Sequence, residues 1–257
     1  MDKPTYSIVI PAYNEHLRIT ATLDKILAWT AEQRWSVEIL VVNDGSRDNT
    51  ADIVREYAAA HPQVRIIENP GNRGKGYTVR NGMLNARGDM LLFSDADLSS
   101  PISEAPKLFD ALAAGADVAV GSRWLQSDLQ TERQPVYRQL FGRIFNLFLQ
   151  IVLGIRYKDT QCGFKAFRRD AAEALFRRQR IDRWAFDAEL LFLARRFGFK
   201  SVEIGVAWAH DDRTKMSYFR DGMRMVWEIL TVRWHAITGK YDRPLPAPVS
   251  EPAGIVR

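Results

Sequence analysis

A single cysteine, Cys162, is present in 257 residues, so no disulfide can form within the chain and a reducing cytoplasm is its expected home. No apolar run is long and uninterrupted enough to cross a bilayer; the nearest candidate, Gln139 to Leu153, is broken by polar residues. The N-terminus carries no signal-peptide pattern, because the apolar stretch Tyr6 to Pro11 is too short and reads as a strand. Internal repeats, P-loop glycine spacing and familiar RNA-binding motifs are all missing, so a nucleic-acid partner is not expected.

The length suits one large α/β domain or two small ones, and 46% hydrophobic with 26% charged residues is ordinary for a globular protein. The net charge of +5 is unevenly spread. Residues 123–180 hold 12 Lys/Arg against 5 Asp/Glu, a local excess of +7, so the remainder nets −2. Such a region fits an anionic partner, phosphate or acidic lipid, or else a solvated basic surface.

Short apolar runs alternate with helical patterns through the first half. Strands are expected at Tyr6–Ile10, Glu38–Asn43, Val64–Glu68, Met90–Ser94 and Val118–Gly121, several of them continuously apolar as parallel strands buried on both faces should be. Helices are expected at Leu17–Ala31, Thr50–Ala60, Gly74–Ala86 and Ser103–Ala113, with Thr50 and Ser103 as caps and Pro106 in a first turn. This alternation predicts a doubly wound, mostly parallel sheet with ligands at the carboxyl ends of its strands. Two amphipathic helices follow. The first, near 134–154, sets Gln139, Arg143, Asn146 and Gln150 in a narrow polar stripe; the second, near 217–238, gathers Phe219, Met223, Val226, Trp227, Leu230 and Trp234 on one face. Each could pack in a core or lie in a membrane interface. Residues 1–240 are expected as one catalytic domain and 241–257, rich in Pro and small residues, as a flexible tail.

Four patches fall at predicted strand ends. Pro11-Ala12-Tyr13-Asn14-Glu15 offers close backbone approach at Ala12, with Tyr13 and Glu15 available to a base and ribose, although a plain turn would look the same. Asp44, in Asn43-Asp44-Gly45-Ser46, could accept a hydrogen bond from a pyrimidine N–H, or the segment could simply start a helix. Asn72-Arg73-Gly74-Lys75-Gly76 bares backbone beside a helix start and adds a cation, which suits a diphosphate. Asp95-Ala96-Asp97 supplies two carboxylates to a hard ion, Mg²⁺ or Mn²⁺, bridging to phosphate. A lone Asp-x-Asp is more often a capped turn; the four patches in this order favour a nucleotide-sugar site.

With these motifs the chain resembles the family 2 glycosyltransferases of GT-A fold, from Ser7 to about Gly239. Gly121-Ser122-Arg123, Asp159-Thr160-Gln161-Cys162-Gly163-Phe164-Lys165 and Arg183-Trp184-Ala185-Phe186-Asp187-Ala188-Glu189-Leu190 look like the polyprenyl-phosphate glucosyltransferase branch, whose eukaryotic relatives are dolichyl-phosphate β-glucosyltransferases. The similar mannosyl branch usually has Gln two residues after the Asp-x-Asp, where this chain has Ser99. The resemblance implies inverting transfer of glucose from UDP-glucose to a dolichyl or undecaprenyl phosphate, with Asp95 and Asp97 holding the metal. Pro11, Ala12, Tyr13, Glu15, Asp44, Asn72, Gly74, Lys75, Asp95 and Ala96 would bind the donor. Arg123, Arg138, Arg213 and Lys215 would bind the acceptor phosphate, and Asp187 would orient groups or act as base, with Glu189 supporting basic groups. Cys162 is not expected to be a nucleophile, and His210 stands beside the site or packs. Eukaryotic members of this branch often carry an N-terminal anchor not read here, so peripheral docking on the cytoplasmic face of a membrane is expected. GDP-mannose or UDP-GlcNAc as donor, or a soluble acceptor, are the alternatives.

Overall fold

The computed structural model describes residues 3–125, 136–209 and 218–243, without the side chains of 136–141, 143 and 218–221. Seven strands form one sheet in the order β3-β2-β1-β4-β6-β5-β7. The strands are β1 Tyr6–Ala12, β2 Val37–Asn43, β3 Val64–Glu68, β4 Met90–Ser94, β5 Val118–Ser122, β6 Phe164–Arg168 and β7 Ser201–Gly205. Only β6 runs antiparallel, paired to β4 on one side and β5 on the other.

The helices are α1 Ile19–Glu32, α2 Thr50–Ala60, α3 Lys75–Asn85, α4 Ala105–Ala113, α5 Val136–Leu153, α6 Arg169–Phe176, α7 Phe186–Arg196 and α8 Tyr218–Ile237. Successive strand residues feed opposite cores. Ile8, Ile39, Val41 and Leu92 face α1, α2 and α4, whereas Val9, Leu40, Val42 and Phe93 face α3 and the C-terminal helices. Gly82 lets α3 lie close on the sheet, since a Cβ there would sit 2.3 Å from Val9 Cγ1. The mostly parallel sheet flanked by helices that the alternation predicts is therefore present, and β3 and β4 keep their predicted bounds.

The caps differ from expectation. Thr50 is the first residue of α2, after Asn49 in the cap position, and its N–H donates to Asp48 Oδ1 at 3.0 Å. Ser103 makes no cap bond, because a 3-10 turn at Ile102–Glu104 leads into α4, with Pro106 in its first turn as predicted.

Both late helices carry polar residues inward. In α5, Asn146 donates to the carbonyls of Tyr157 and Lys158, and Gln150 to that of Tyr157, while Ile144, Leu147 and Ile151 are exposed. Loop carbonyls need donors, so Asn146 and Gln150 of the polar stripe face the protein. In α8 the core is touched by Met225, Ile229, Val232 and Ala236, and of the apolar face read from the sequence Met223, Trp227, Leu230 and Trp234 point outward.

The tail reading needs correction at its start. Tyr241 is buried, and its hydroxyl donates to Glu189 Oε1 at 2.6 Å. Residues 244–257 lie outside the described residues.

Glu189 is a structural node. Its two oxygens also accept the N–H groups of Arg180 and Ile181, both at 2.9 Å, so it fixes a loop rather than basic side chains. Burial pushes its carboxyl up to about 7, against the pull of those three hydrogen bonds. The folded chain thus binds this proton more tightly than the unfolded chain, in which the carboxyl titrates near 4.5. The contribution is complete below 4.5 and lost as pH rises through about 7. Urea melts should show wild type losing stability relative to Glu189→Gln over that window. Glu189→Ala, which orphans three buried donors, should cost about 3 kcal/mol.

Candidate active site

The parallel strands deliver their carboxyl ends to one edge of the sheet. Because β6 is antiparallel, the segment before it, Asp159–Gly163, reaches the same edge. The loops after β1 and β4, the central parallel pair where the strand order turns back, flank the crevice in which such sheets bind ligands.

Pro11–Glu15 is stitched to the β2–α2 loop. Asn14 N–H donates to Ser46 Oγ at 2.9 Å, Glu15 N–H to Thr50 Oγ1 at 2.8 Å, and Arg47 N–H to Asn14 Oδ1 at 2.8 Å. Asn14 adopts φ 54°, which its short polar side chain tolerates and these bonds fix. Glu15 pairs with Arg18 at 2.8 Å. Ala12 is buried as the last residue of β1, with Pro11 and Tyr13 half-buried beside it.

Asp44 is buried and already serves the neighbouring loop. It accepts from Asn69 Nδ2 at 2.9 Å and from the N–H groups of Arg73 and Gly74 at 2.8 and 2.9 Å. Those three hydrogen bonds use most of the roughly four lone-pair positions of a carboxylate and hold the Asn72–Lys75 loop in place. Gly74 sits at φ 104°, and a Cβ on it would meet Asp182 O at 2.6 Å. Asn72 is exposed at the edge of this loop.

Asp95 and Asp97 lie in a tight turn. Leu98 N–H donates to Asp95 O at 3.1 Å, Ser99 N–H to Asp97 Oδ1 at 2.9 Å, and Thr22 Oγ1 ties Ala96 O to α1 at 2.6 Å. Leu98 is forced to φ 48°, a strained position for a bulky residue and one typical of functional turns. Gly163 backs onto Asp95, since a Cβ there would sit 2.1 Å from Asp95 Oδ2.

Three cation–carboxylate pairs line this edge. Lys75 Nζ is 2.6 Å from Asp95 Oδ1, and lies over the Trp184 ring. Lys165 Nζ, fully buried on β6, is 2.6 Å from both Asp187 Oδ1 and Cys162 O. Arg123 grips Asp159 through Nε at 2.7 Å and Nη2 at 2.9 Å, with its guanidinium over Trp208. Burial opposes the charge on Lys75, yet Asp95, Asp187 and Asp97 together raise its pKa. Burial likewise opposes the Arg123 charge, and Asp159 more than offsets it. Burial first and the Asp95 charge second lift Asp97 above the ordinary carboxylate range, against Ser99 and Lys75. Burial pushes the Cys162 thiol up to about 12, with Asp159 adding to it, so this thiol is no nucleophile.

Two neighbouring carboxylates, one of them seated against Gly163 and paired with Lys75, fit a divalent cation completed by water and phosphate oxygens. No group of three or more acidic, His or Cys side chains with metal-binding geometry occurs among the described residues. Of the other anticipated residues, Arg138 lies on α5 with its side chain outside the description, and Arg213, Lys215 and His210 fall outside the described residues. Lys165 was not anticipated as a site residue. A fully buried lysine on a central strand has no distinguishing sequence signal beyond its place in the Gly163-Phe164-Lys165 run.

The family described as Glycosyl transferase family 2 matches residues 7–176. A dolichyl-phosphate beta-glucosyltransferase of Trichomonas vaginalis is 40% identical over 221 residues, covering 82% of this chain and 65% of the relative. The chain thus spans just under two thirds of that protein. The dolichyl-phosphate beta-glucosyltransferase of Homo sapiens is 33% identical over 257 residues, covering 93% and 79%. Among solved structures, glucosyl-3-phosphoglycerate synthase of Mycobacterium tuberculosis, with Mn²⁺, UDP and glucosyl-3-phosphoglycerate, superposes with a TM-score of 0.62 at 21% identity. That match covers 94% of this chain and 81% of the neighbour, and it supports the fold.

Gly163→Ala tests the site geometry. The added methyl must displace the Asp95 carboxylate, so sugar transfer should fall about 100-fold with the urea midpoint little changed. Full activity in the variant would show that the position of Asp95 is not critical.

Proposed function

Since the chain belongs to glycosyl transferase family 2, it is a sugar-transferring enzyme, and we propose that it moves glucose from UDP-glucose to a polyprenyl phosphate, dolichyl or undecaprenyl, with inversion. The observation that carries this reading is the convergence of Asp95, Asp97 and Lys75 at the strand ends beside Pro11–Glu15 and Asp44. The dolichyl-phosphate beta-glucosyltransferase names of the relatives support the sugar and the acceptor class.

Uridine would seat between the Pro11–Glu15 turn and Asp44, with Asn72, Gly74 and Ala96 presenting backbone to the donor. Asp95 and Asp97 would hold Mg²⁺ or Mn²⁺, which when bound supplies charge neutralisation to the leaving diphosphate. Lys75, kept charged by three carboxylates, serves the same diphosphate once released from Asp95.

The acceptor is a phosphate monoester with a second pKa near about 6, largely ionised at neutral pH, so no strong base is required. It needs cations fixed in place. Arg123 is held rigidly by Asp159 at the end of β5, and Arg138, Arg213 and Lys215 are the further candidates. Asp187 already engages Lys165, which supports positioning over proton abstraction as its role. The outward apolar faces of α5 and α8 suit peripheral docking where a polyprenyl chain resides; no described helix is long and apolar enough to cross a membrane.

Transfer assays with labelled UDP-glucose, GDP-mannose and UDP-GlcNAc, each offered undecaprenyl phosphate and metal, test the reading. Lipid-linked product from UDP-glucose alone, reduced at least 100-fold in Asp97→Ala, is expected. Product from another donor alone would overturn the sugar, and product on a soluble acceptor alone would overturn the lipid.

A further inference from the structure

A cavity of about 470 Å³ opens beside the Asn72–Lys75 loop, with Asn72 in its lining. Arg73 from that loop, Arg180 and Arg183 from the segment before α7, and Arg224 from α8 all line it. Its two acids are already engaged. Asp182 pairs with Arg80 at 2.8 Å, and Glu228 takes Arg224 at 3.3 Å and the Ala185 N–H at 3.1 Å.

Arg73, Arg180 and Arg183 have no carboxylate partner among the described residues. Arg73 rests over the Tyr77 ring. Three like charges around one cavity repel each other unless an anion sits among them. Arginine forks match phosphate oxygens well. The cavity floor is firm, since Glu189 fixes the 180–181 backbone and Gly74 and Gly76 pack against the carbonyls of Asp182 and Ile181.

The position of the cavity identifies the source of the anion. Arg224 is flanked on α8 by Met223 and Trp227, exposed by 53% and 68%. The stripe continues through Leu230, Trp234 and Ile237. If that stripe enters the apolar layer, the cavity lies at headgroup level, where tryptophan and arginine both favour the interface.

We propose that this four-arginine cavity is a binding site for the phosphate of an anionic membrane lipid. It deepens the docking part of the functional reading and rests on it. It sets the sheet edge at a fixed height and tilt over the bilayer.

The test is co-sedimentation of the full chain with vesicles of phosphatidylcholine alone or mixed with phosphatidylglycerol, for wild type and Arg180→Gln/Arg183→Gln. Wild type should prefer the anionic vesicles. The double variant should lose about 30-fold of that affinity, at roughly fivefold per arginine, while binding neutral vesicles and transferring sugar in detergent as wild type does. Equal binding of both proteins to anionic vesicles, or no preference in wild type, would overturn the proposal. So would protection of residues 180–183 from hydrogen exchange by inorganic phosphate but not by phosphatidylglycerol vesicles, which would make the ligand a soluble phosphate. Failure of wild type to transfer sugar to a lipid phosphate in detergent would count against the functional reading, and leave the vesicle result to decide the cavity.

Discussion

The pairing of buried charge at the carboxyl edge of the sheet is the constraint on which this molecule turns. Asp95, Asp159 and Asp187 each face a cation, from Lys75, Arg123 and Lys165. An uncompensated charge in such surroundings costs several kcal/mol. Each pair therefore locks together segments distant in the chain: the start of α3 with the end of β4, the end of β5 with the lead into β6, and β6 with α7. The antiparallel β6 is central to this, because only its reversed direction brings Asp159–Gly163 to the reacting edge and sets Lys165 beneath it. The same economy serves chemistry. A site with matched charge keeps its cations ionised and its carboxylates fixed, and so presents a preformed surface to a diphosphate.

How far the sequence revealed this depends on the kind of signal. The parallel half was legible because strands buried on both faces read as continuous apolar runs, and its four loop patches fall where predicted. β6 was not legible, since Phe164-Lys165-Ala166-Phe167-Arg168 mixes charge into a short run. Its lysine is buried only because Asp187, far along the chain, receives it. Thr50 was misplaced as a cap because it is itself the first residue of α2, after Asn49 in the cap position. Hydrogen bonds from Thr50 and His16 outweigh burial and hold Asp48 at about 2. Glu189 was read as a partner for basic groups, yet its acceptors are spent on backbone N–H groups and a tyrosine, none of which marks a sequence.

The late helices show why amphipathicity alone does not say which face is buried. The polar stripe on α5 suited either a core or an interfacial helix, and at Asn146 and Gln150 it meets loop carbonyls. On α8 two tryptophans and three aliphatic or thioether side chains stand outward while a second apolar set fills the core. A helix apolar on both sides, with arginines between, is an economical way to be at once a core element and a surface for lipid. The carboxyl edge of the sheet and the outward apolar face of α8 then share one frame through α7, Glu189 and Tyr241.

The central claim is that Asp95 and Asp97 form a cation site completed by the donor diphosphate, with Lys75 standing in when the site holds neither. Calorimetric titration of UDP into the full chain, in Mn²⁺ and again in EDTA, tests it most directly. The account predicts binding at least about tenfold tighter with Mn²⁺, and loss of that difference in Asp95→Ala. Equal UDP affinity in the two buffers would contradict it, and would leave the two carboxylates as partners of Lys75 and the turn alone.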